Sequence, residues 1–560
     1  MKMVKSLLLG GAAGLVAVAG AQAADLPVKA KPVEYVKVCS LYGEGFFYIP
    51  GTDTCLKIGG WVRYDQAFGG TGASSNPPDA GGAGGNNRIV TADYITRSRT
   101  VVSFDARTQT EYGTLRAYYR GGFELQTNTY NSGTYYYERA FIQFAGFTLG
   151  RSQSFFDINA NAYSLGAAAY AAAGSNTGAA GINLAAYTAS FGNGVSATLS
   201  AEDTTVRRNA LWDATANTAV AGSSPSGNSL AVGNYPGPNG TLAMGYTTCG
   251  PSVASSDSVI SNSSTTAGLI VVGCATGDYA TQSIPDIVGN LRVDQSWGSA
   301  QISAALHQVR GGFYGNNFVA VAGSYTGVAP ADAWGFAIAA GFVINLPWNP
   351  GDKFWLEGTY AQGASSYGGY GWLNGTNGPF NRYNGSNLAA TWALDGVFAC
   401  TGTAAQVAAG TCGQSGIQLS TIWEAHAAIE HYWTPALRTS LFGSYNHFEP
   451  GSTGNAIMCS SPLSPVRSAI TGAAPTGAAA LPGCDFSYNI AQIGTRSIWN
   501  PVKNLDIGVE IAYSKVNTNF DPSLIRLSAG GSGGRPAALY TPSSEGVWGA
   551  LLRIQRNFYP

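Results

Sequence analysis

Leu505-Asp506-Ile507-Gly508-Val509-Glu510-Ile511-Ala512-Tyr513-Ser514 alternates without a break: Leu505, Ile507, Val509, Ile511 and Tyr513 fall on one face, and Asp506, Gly508, Glu510, Ala512 and Ser514 on the other. A period of two is the pleat of a β-strand with one apolar and one polar face, whereas a helix would repeat near 3.6. The same pattern sets Leu56, Ile58, Gly60, Val62 and Tyr64 against Lys57, Gly59, Trp61, Arg63 and Asp65. It sets Leu115, Ala117 and Tyr119 against Thr114, Arg116, Tyr118 and Arg120, and Trp548, Ala550, Leu552 and Ile554 against Gly549, Leu551, Arg553 and Gln555. Followed along the chain, it predicts sixteen strands, near 56–66, 94–106, 112–124, 135–145, 146–151, 184–191, 194–202, 284–297, 299–309, 333–346, 352–362, 417–433, 436–448, 487–499, 504–516 and 546–558.

The links between these strands alternate in length. Short ones include Phe191-Gly192-Asn193-Gly194, Trp297-Gly298-Ser299, Pro347 to Gly351 and Asn500-Pro501, and every other link is long and rich in Gly, Ser, Asn and Ala. A soluble sandwich does not need that regularity, but a transmembrane antiparallel β-barrel does, with tight turns on the periplasmic side and long loops outside. Strand length agrees: about ten residues at roughly 3.3 Å each, tilted about 40°, rise about 25 Å, the height of an outer-membrane apolar band. In lipid an unpaired backbone group has no water to bond, so a spanning sheet must close on itself. The expected fold is therefore all-β, a barrel of about sixteen strands, and at that size the interior holds an aqueous channel.

Composition removes the alternatives. The 560 residues contain 75 Gly, with 45% hydrophobic and only 11% charged residues, and no collagen period; that is too apolar for a disordered chain. Only Leu7 to Ala24 approaches a helical membrane span. It follows Lys2 and Lys5 and ends at Ala21-Gln22-Ala23, which reads as a secretory signal peptide, residues 1–23, cleaved after Ala23. Residues 24–55 then form a periplasmic entry segment and 56–560 the barrel. With 30 basic and 31 acidic residues and no Lys/Arg run, nucleic acid is excluded as a partner.

Eight cysteines in an exported chain imply four disulfides. Eight allow 105 pairings; proximity favours Cys39–Cys55, Cys249–Cys274, Cys400–Cys412 and Cys459–Cys484, the first before the barrel and the others each within one outer loop. No cysteine spacing suits zinc. The four histidines, His307, His426, His431 and His447, fall on expected strands and none lies in H-E-x-x-H, so neither a metal site nor a cofactor is expected. Gly530-Gly531-Ser532-Gly533-Gly534 matches G-x-S-x-G but sits in a Gly-rich loop rather than a strand-to-helix elbow, so no catalytic residue is assigned.

In a barrel the polar alternates face the lumen. Arg97, Arg99, Asp105 and Arg107 share one parity of the second strand, opposite Val102, Phe104 and Ala106, and the third strand adds Arg116 and Arg120. These strands are neighbours, so the arginines are expected to form one basic stripe lining the pore, with Arg63 and Glu510 on other lumen faces. An arginine at the lipid midplane costs about 2–4 kcal/mol, which a lumen-facing one avoids. A sugar-specific channel is the rival reading, for which the long loop from Gly363 to Gly416 offers Tyr367, Tyr370, Trp372 and Tyr383 as stacking surfaces.

Residues 38 to 60, Val-Cys-Ser-Leu-Tyr-Gly-Glu-Gly-Phe-Phe-Tyr-Ile-Pro-Gly-Thr-Asp-Thr-Cys-Leu-Lys-Ile-Gly-Gly, resemble the start of the mature porins of alphaproteobacteria, particularly the rhizobial and related group. Tyr94 to Arg116 and Phe147 to Asp157 are similar to that family's early strands and its entry into the constriction loop, while Asp203 to Ile284 matches only in pattern. The resemblance implies a sixteen-stranded homotrimeric porin in outer-membrane lipid, passing small hydrophilic solutes and ions, with the third long loop, Ser152 to Asn183, folded into the barrel. The family usually sets an acidic loop against a basic wall. Here Asp157 is the loop's only acidic residue, which implies a weak preference for anions. Such barrels usually end on an aromatic residue read by the barrel-assembly machinery; Phe558 is expected to serve, with Tyr559 and Pro560 as a tail.

Overall fold

The computed structural model describes residues 37–69, 94–126, 134–158, 163–165, 174–178, 181–214, 235–236, 242–243, 279–314, 318–321, 324–369, 380–383, 387–391, 393–401, 406, 410–460, 483–520, 527–528, 539–540 and 543–558. The signal peptide and Cys249 and Cys274 therefore lie outside the described residues, as do Tyr370, Trp372 and the last two residues.

Sixteen strands form the barrel: β1 Cys55–Gly69, β2 Tyr94–Thr110, β3 Gly113–Gln126, β4 Thr134–Phe144, β5 Phe147–Ser152, β6 Ile182–Gly192, β7 Val195–Glu202, β8 Asp286–Gln295, β9 Gly298–Val309, β10 Ala333–Asn345, β11 Lys353–Gln362, β12 Thr421–Thr434, β13 Leu437–Glu449, β14 Tyr488–Trp499, β15 Leu505–Thr518 and β16 Glu545–Asn557. Each pairs antiparallel with its neighbours in the chain, and β16 pairs with β1, from Trp61↔Asn557 to Gly69↔Gly549, so the sheet has no edge. Every expected strand is present. The largest shifts are four residues each: β2, expected to end at 106, runs on to Thr110, and β12, expected from 417, begins at Thr421 because Gln418–Leu419 instead joins a small outer sheet. No described helix is long and apolar enough to cross a membrane.

Alternation is what turns this sheet into a membrane wall. Phe123, Leu199, Ile302, Val509 and Trp548 point outward and exposed, while Ser200, Ser303 and Glu510, each next in the chain to one of them, are turned in and covered. In water such an apolar belt would aggregate; in lipid it is the favoured surface. The short turns are tight. Asn193 and Gly194 both adopt positive φ, 48° and 72°, which closes the β6–β7 hairpin with the twist of its strands.

The interior departs from the simple polar-in rule. At the outer ends of β8 to β15 the inward residues include Val288, Ala305, Ala337, Ala361, Ile422 and Phe448, and all are buried. They form one apolar cluster with Phe156 of the third outer loop and with Trp212, Leu394 and Val397 of two others. There Ala210–Asp213 and Leu394–Phe398 pair as parallel strands, and Ser452–Ser460 forms a helix that packs on the second of them. Half of the outer mouth is thus packed as a small protein core, which alternation within each strand does not reveal.

Among the described residues three disulfides are formed: Cys39–Cys55, Cys400–Cys412 and Cys459–Cys484. The first ties the entry segment to the foot of β1, where Phe47–Tyr48 pairs with Cys55 and Leu56 and Phe46 packs over the bond. This small hairpin escaped the alternation reading because two residues cannot show a period. Cys39→Ala is expected to loosen only this segment; single-channel current of the variant should equal that of the parent, and a lost conductance would refute it.

Candidate functional site: the arginine wall and the constriction

The inner face of β1 to β4, with β16, carries Arg63, Arg97, Arg99, Arg107, Arg116, Arg120, Arg139 and Arg553. Register makes this a ladder: Arg63 lies opposite Arg99, Arg107 opposite Arg116, and Arg120 opposite Arg139. Like charges directly opposed across strands repel, so each pair needs water or a carboxylate. Asp65 accepts from Arg97 Nη2 at 2.6 Å and Arg553 Nε at 2.6 Å. Glu124 accepts from Arg99 Nε at 2.7 Å. Asp105 takes both Arg107, at 2.8 Å, and Arg116, at 2.9 Å. Arg120 lies 2.6 Å from Glu138, and Arg63 donates to Gln555 at 2.7 Å and stacks 4.0 Å from the Trp61 ring. The guanidinium groups outnumber the four carboxylates they face.

Arg139, Glu138 and Arg553 were not among the expected pore residues. A bulge in β4 between Tyr137 and Arg139 turns both Glu138 and Arg139 inward, breaking parity for one residue. Arg553 stood on the polar alternate of its strand, but only closure of the barrel brings it to Asp65.

The described stretches of the third outer loop, 153–158, 163–165, 174–178 and 181, lie against the inner face of the barrel on both sides of the lumen. Near its start Asn290 and Gln301 of β8 and β9 donate to Phe155 O at 2.7 and 3.2 Å. Asp157 is buried within the loop, accepting from Thr177 N at 2.7 Å and Thr177 Oγ1 at 2.6 Å, with Ser175 and Arg207 completing its shell. The tip reaches β15, where Glu510 accepts from Ser164 Oγ at 3.0 Å and from the Leu165 amide. Tyr163 wedges among Trp355, Ala428, Phe442 and Ala512. On the other flank Arg139 Nη2 donates to Gly178 O at 2.6 Å. On the turn side of the loop lies an open cavity of 1180 Å³, lined by Gln143, Thr148, Phe155, Asn290, Arg292 and Gln301 among others.

The two walls differ in what they expose. Glu357, Glu424 and Glu430 on the wall opposite the ladder, and Glu510 on β15 beside it, are at most 7% exposed under the loop or against Arg496. Across the lumen the side chains of Arg120, Arg107 and Arg116 are 33%, 27% and 25% exposed. Tyr367, a candidate sugar platform, is fully buried edge-on to Phe156 and donates to Asp286 at 2.7 Å, so its ring is not presented to solvent.

A closed sixteen-stranded barrel with an inward loop and a charged inner wall defines an outer-membrane pore. Residues 25–530 match the family model described as the porin subfamily, and the chain belongs to that family. It is 45% identical over 130 residues to the porin Omp2a of Brucella ovis, covering 22% of this chain and 33% of that one. It is 37% identical over 159 residues to the putative outer membrane protein y4fJ of Sinorhizobium fredii, covering 28% and 44%. These matches span less than half of either relative's length. The outer membrane channel DcaP of Acinetobacter baumannii superposes with a TM-score of 0.50 at 14% identity, over 91% of this chain and 99% of that one, a likeness of fold alone. The protein is thus a porin of the bacterial outer membrane.

Proposed function

We propose that the mature chain, after loss of residues 1–23, forms a water-filled channel for passive diffusion of small hydrophilic solutes and ions, with a weak preference for anions. The observation that carries this reading is an imbalance of exposed charge: Arg107, Arg116 and Arg120 of the ladder stay partly accessible while the carboxylates of the facing wall, Glu357, Glu424 and Glu430, are covered. Fixed charge along a pore wall sets ion preference without a tight binding site, and the cavity beside the loop is open and polar on the side of Gln143, Asn290 and Gln301. We further infer a homotrimer, on the resemblance of the early strands, and a role for Phe558 in assembly, on its seat at the seam between β16 and β1. The test is single-channel current of the folded mature protein across a salt gradient, with a sugar titration. Steady current with a reversal potential of the anion-selective sign is expected. A cation-selective sign would overturn the preference, and closure by low concentrations of one sugar would replace general diffusion with a substrate-specific channel.

A further inference from the structure

Under the inward loop, on the wall opposite the arginines, β11 and β12 bring Glu357, Glu424 and His426 together. Glu357 and His426 are direct cross-strand partners, and Glu424 lies two residues along β12 on the same face. One donor atom of each lies within 4.8 Å of the other two. The three residues are 2%, 2% and 3% exposed. His426 Nδ1 is 3.3 Å from Glu424 Oε2, but Nε2, 3.6 Å from Glu357 Oε2, has no hydrogen-bond partner, and neither has Glu424 Oε1.

Two carboxylates held this close in a covered site repel, and orphaned polar atoms there are costly. One imidazole with two carboxylates is a donor set suited to a divalent first-row metal ion, leaving a fourth position open. The loop passes over the cluster at two points. Tyr163, 1% exposed, lies with its ring 5.8 Å from that of His426; its hydroxyl is unpartnered, and the charges acting on it are those of Glu357, Glu424 and Glu510. Gly174 sits on the carboxylates so closely that a Cβ would stand 2.7 Å from Glu357 Oε1 and 2.9 Å from Glu424 Oε1.

We propose that Glu357, Glu424 and His426 form a binding site for a divalent cation of the Zn²⁺ type, which fastens the constriction loop to the wall facing the arginine ladder. The cation neutralises the two carboxylates and takes up the orphaned Nε2 and Oε1, so its occupancy is coupled to the position of the loop. The sequence hides the site because a long outer loop separates Glu357 from Glu424 and His426 in the chain and no linear metal motif joins them.

Folded mature protein in detergent, stripped with a chelator, is titrated with Zn²⁺ by calorimetry, and bound metal is counted after gel filtration. One Zn²⁺ per chain is expected, with the dissociation constant raised at least about tenfold in Glu424→Gln and in His426→Gln and unchanged in His447→Gln. Barrel folding of each variant is checked by heat-shifted gel mobility. Because a variant can fail to fold, the unaltered protein is also loaded with Co²⁺, whose visible spectrum should report low-coordinate nitrogen and oxygen ligation. Open-channel noise should rise on chelation and fall again with Zn²⁺. Absence of binding, binding in the two cluster variants as tight as the parent's, or a Co²⁺ spectrum of the free hydrated ion would overturn the site. None of these binding readouts depends on the pore's ion preference.

Discussion

Replacing Arg116 and Arg120 together with glutamine is expected to lower the anion-to-cation permeability ratio about fourfold while leaving the barrel folded. A unit charge about 6 Å from a passing ion in water contributes about 0.7 kcal/mol, and screening at 0.1 M salt about halves it. Arg116 and Arg120 stand four residues apart on β3, so an ion passes them one at a time, and each favours an anion and disfavours a cation by about 0.4 kcal/mol, a difference of about 0.8 kcal/mol that sets the ratio. The pair is chosen because Asp105 keeps Arg107, while Glu138 keeps the nearby charge of Arg139 and can accept from the amide introduced at 120. Both side chains are also among the exposed members of the ladder. The reversal potential across a fixed salt gradient reads the change directly. An unchanged potential would show that the field at the constriction comes from elsewhere.

The larger structural effect is expected at the seam. Phe558 N donates to Gly60 O at 2.9 Å where the last strand meets the first, and the Phe558 ring lies over Gly60. A Cβ at Gly60 would stand 2.1 Å from Val101 O and 2.5 Å from Phe558 Cζ. The first of these is backbone of β2 and cannot swing aside, so Gly60→Val forces β1 away from β2 or displaces the C-terminal ring. Either opens ladder hydrogen bonds in lipid, each costing several kcal/mol. We expect the yield of heat-shifted, folded barrel to fall at least about tenfold. Phe558→Ala separates the two causes: it removes the ring but keeps the seam, so a folded yield equal to the parent's would deny Phe558 its part in assembly.

The strands were legible because lipid outside and water inside impose opposite demands on successive residues. Even β5, six residues from Phe147 to Ser152, was marked by the length of the links around it. The arginines of β2 and β3 were legible for the same reason, since charge on a spanning strand has one tolerable direction. Arg139 was lost to a bulge, whose extra residue shifts the parity on which the reading depends. The apolar inward residues at the outer ends of β8 to β15 could not be separated from lipid-facing residues, because what distinguishes them is a loop folded on top.

The sequence by itself thus determined the barrel, its strand count and direction, the side on which the loops lie, and an arginine-rich face, all consequences of near-neighbour periodicity. Tertiary structure alone decided which charges stay accessible. Asp157 is consumed inside its own loop, Glu510 is capped by that loop's tip, and Glu357, Glu424 and His426 meet beneath it. These contacts join residues up to hundreds of positions apart, and closing a loop across a lumen depends on where the far wall stands, which no local pattern encodes.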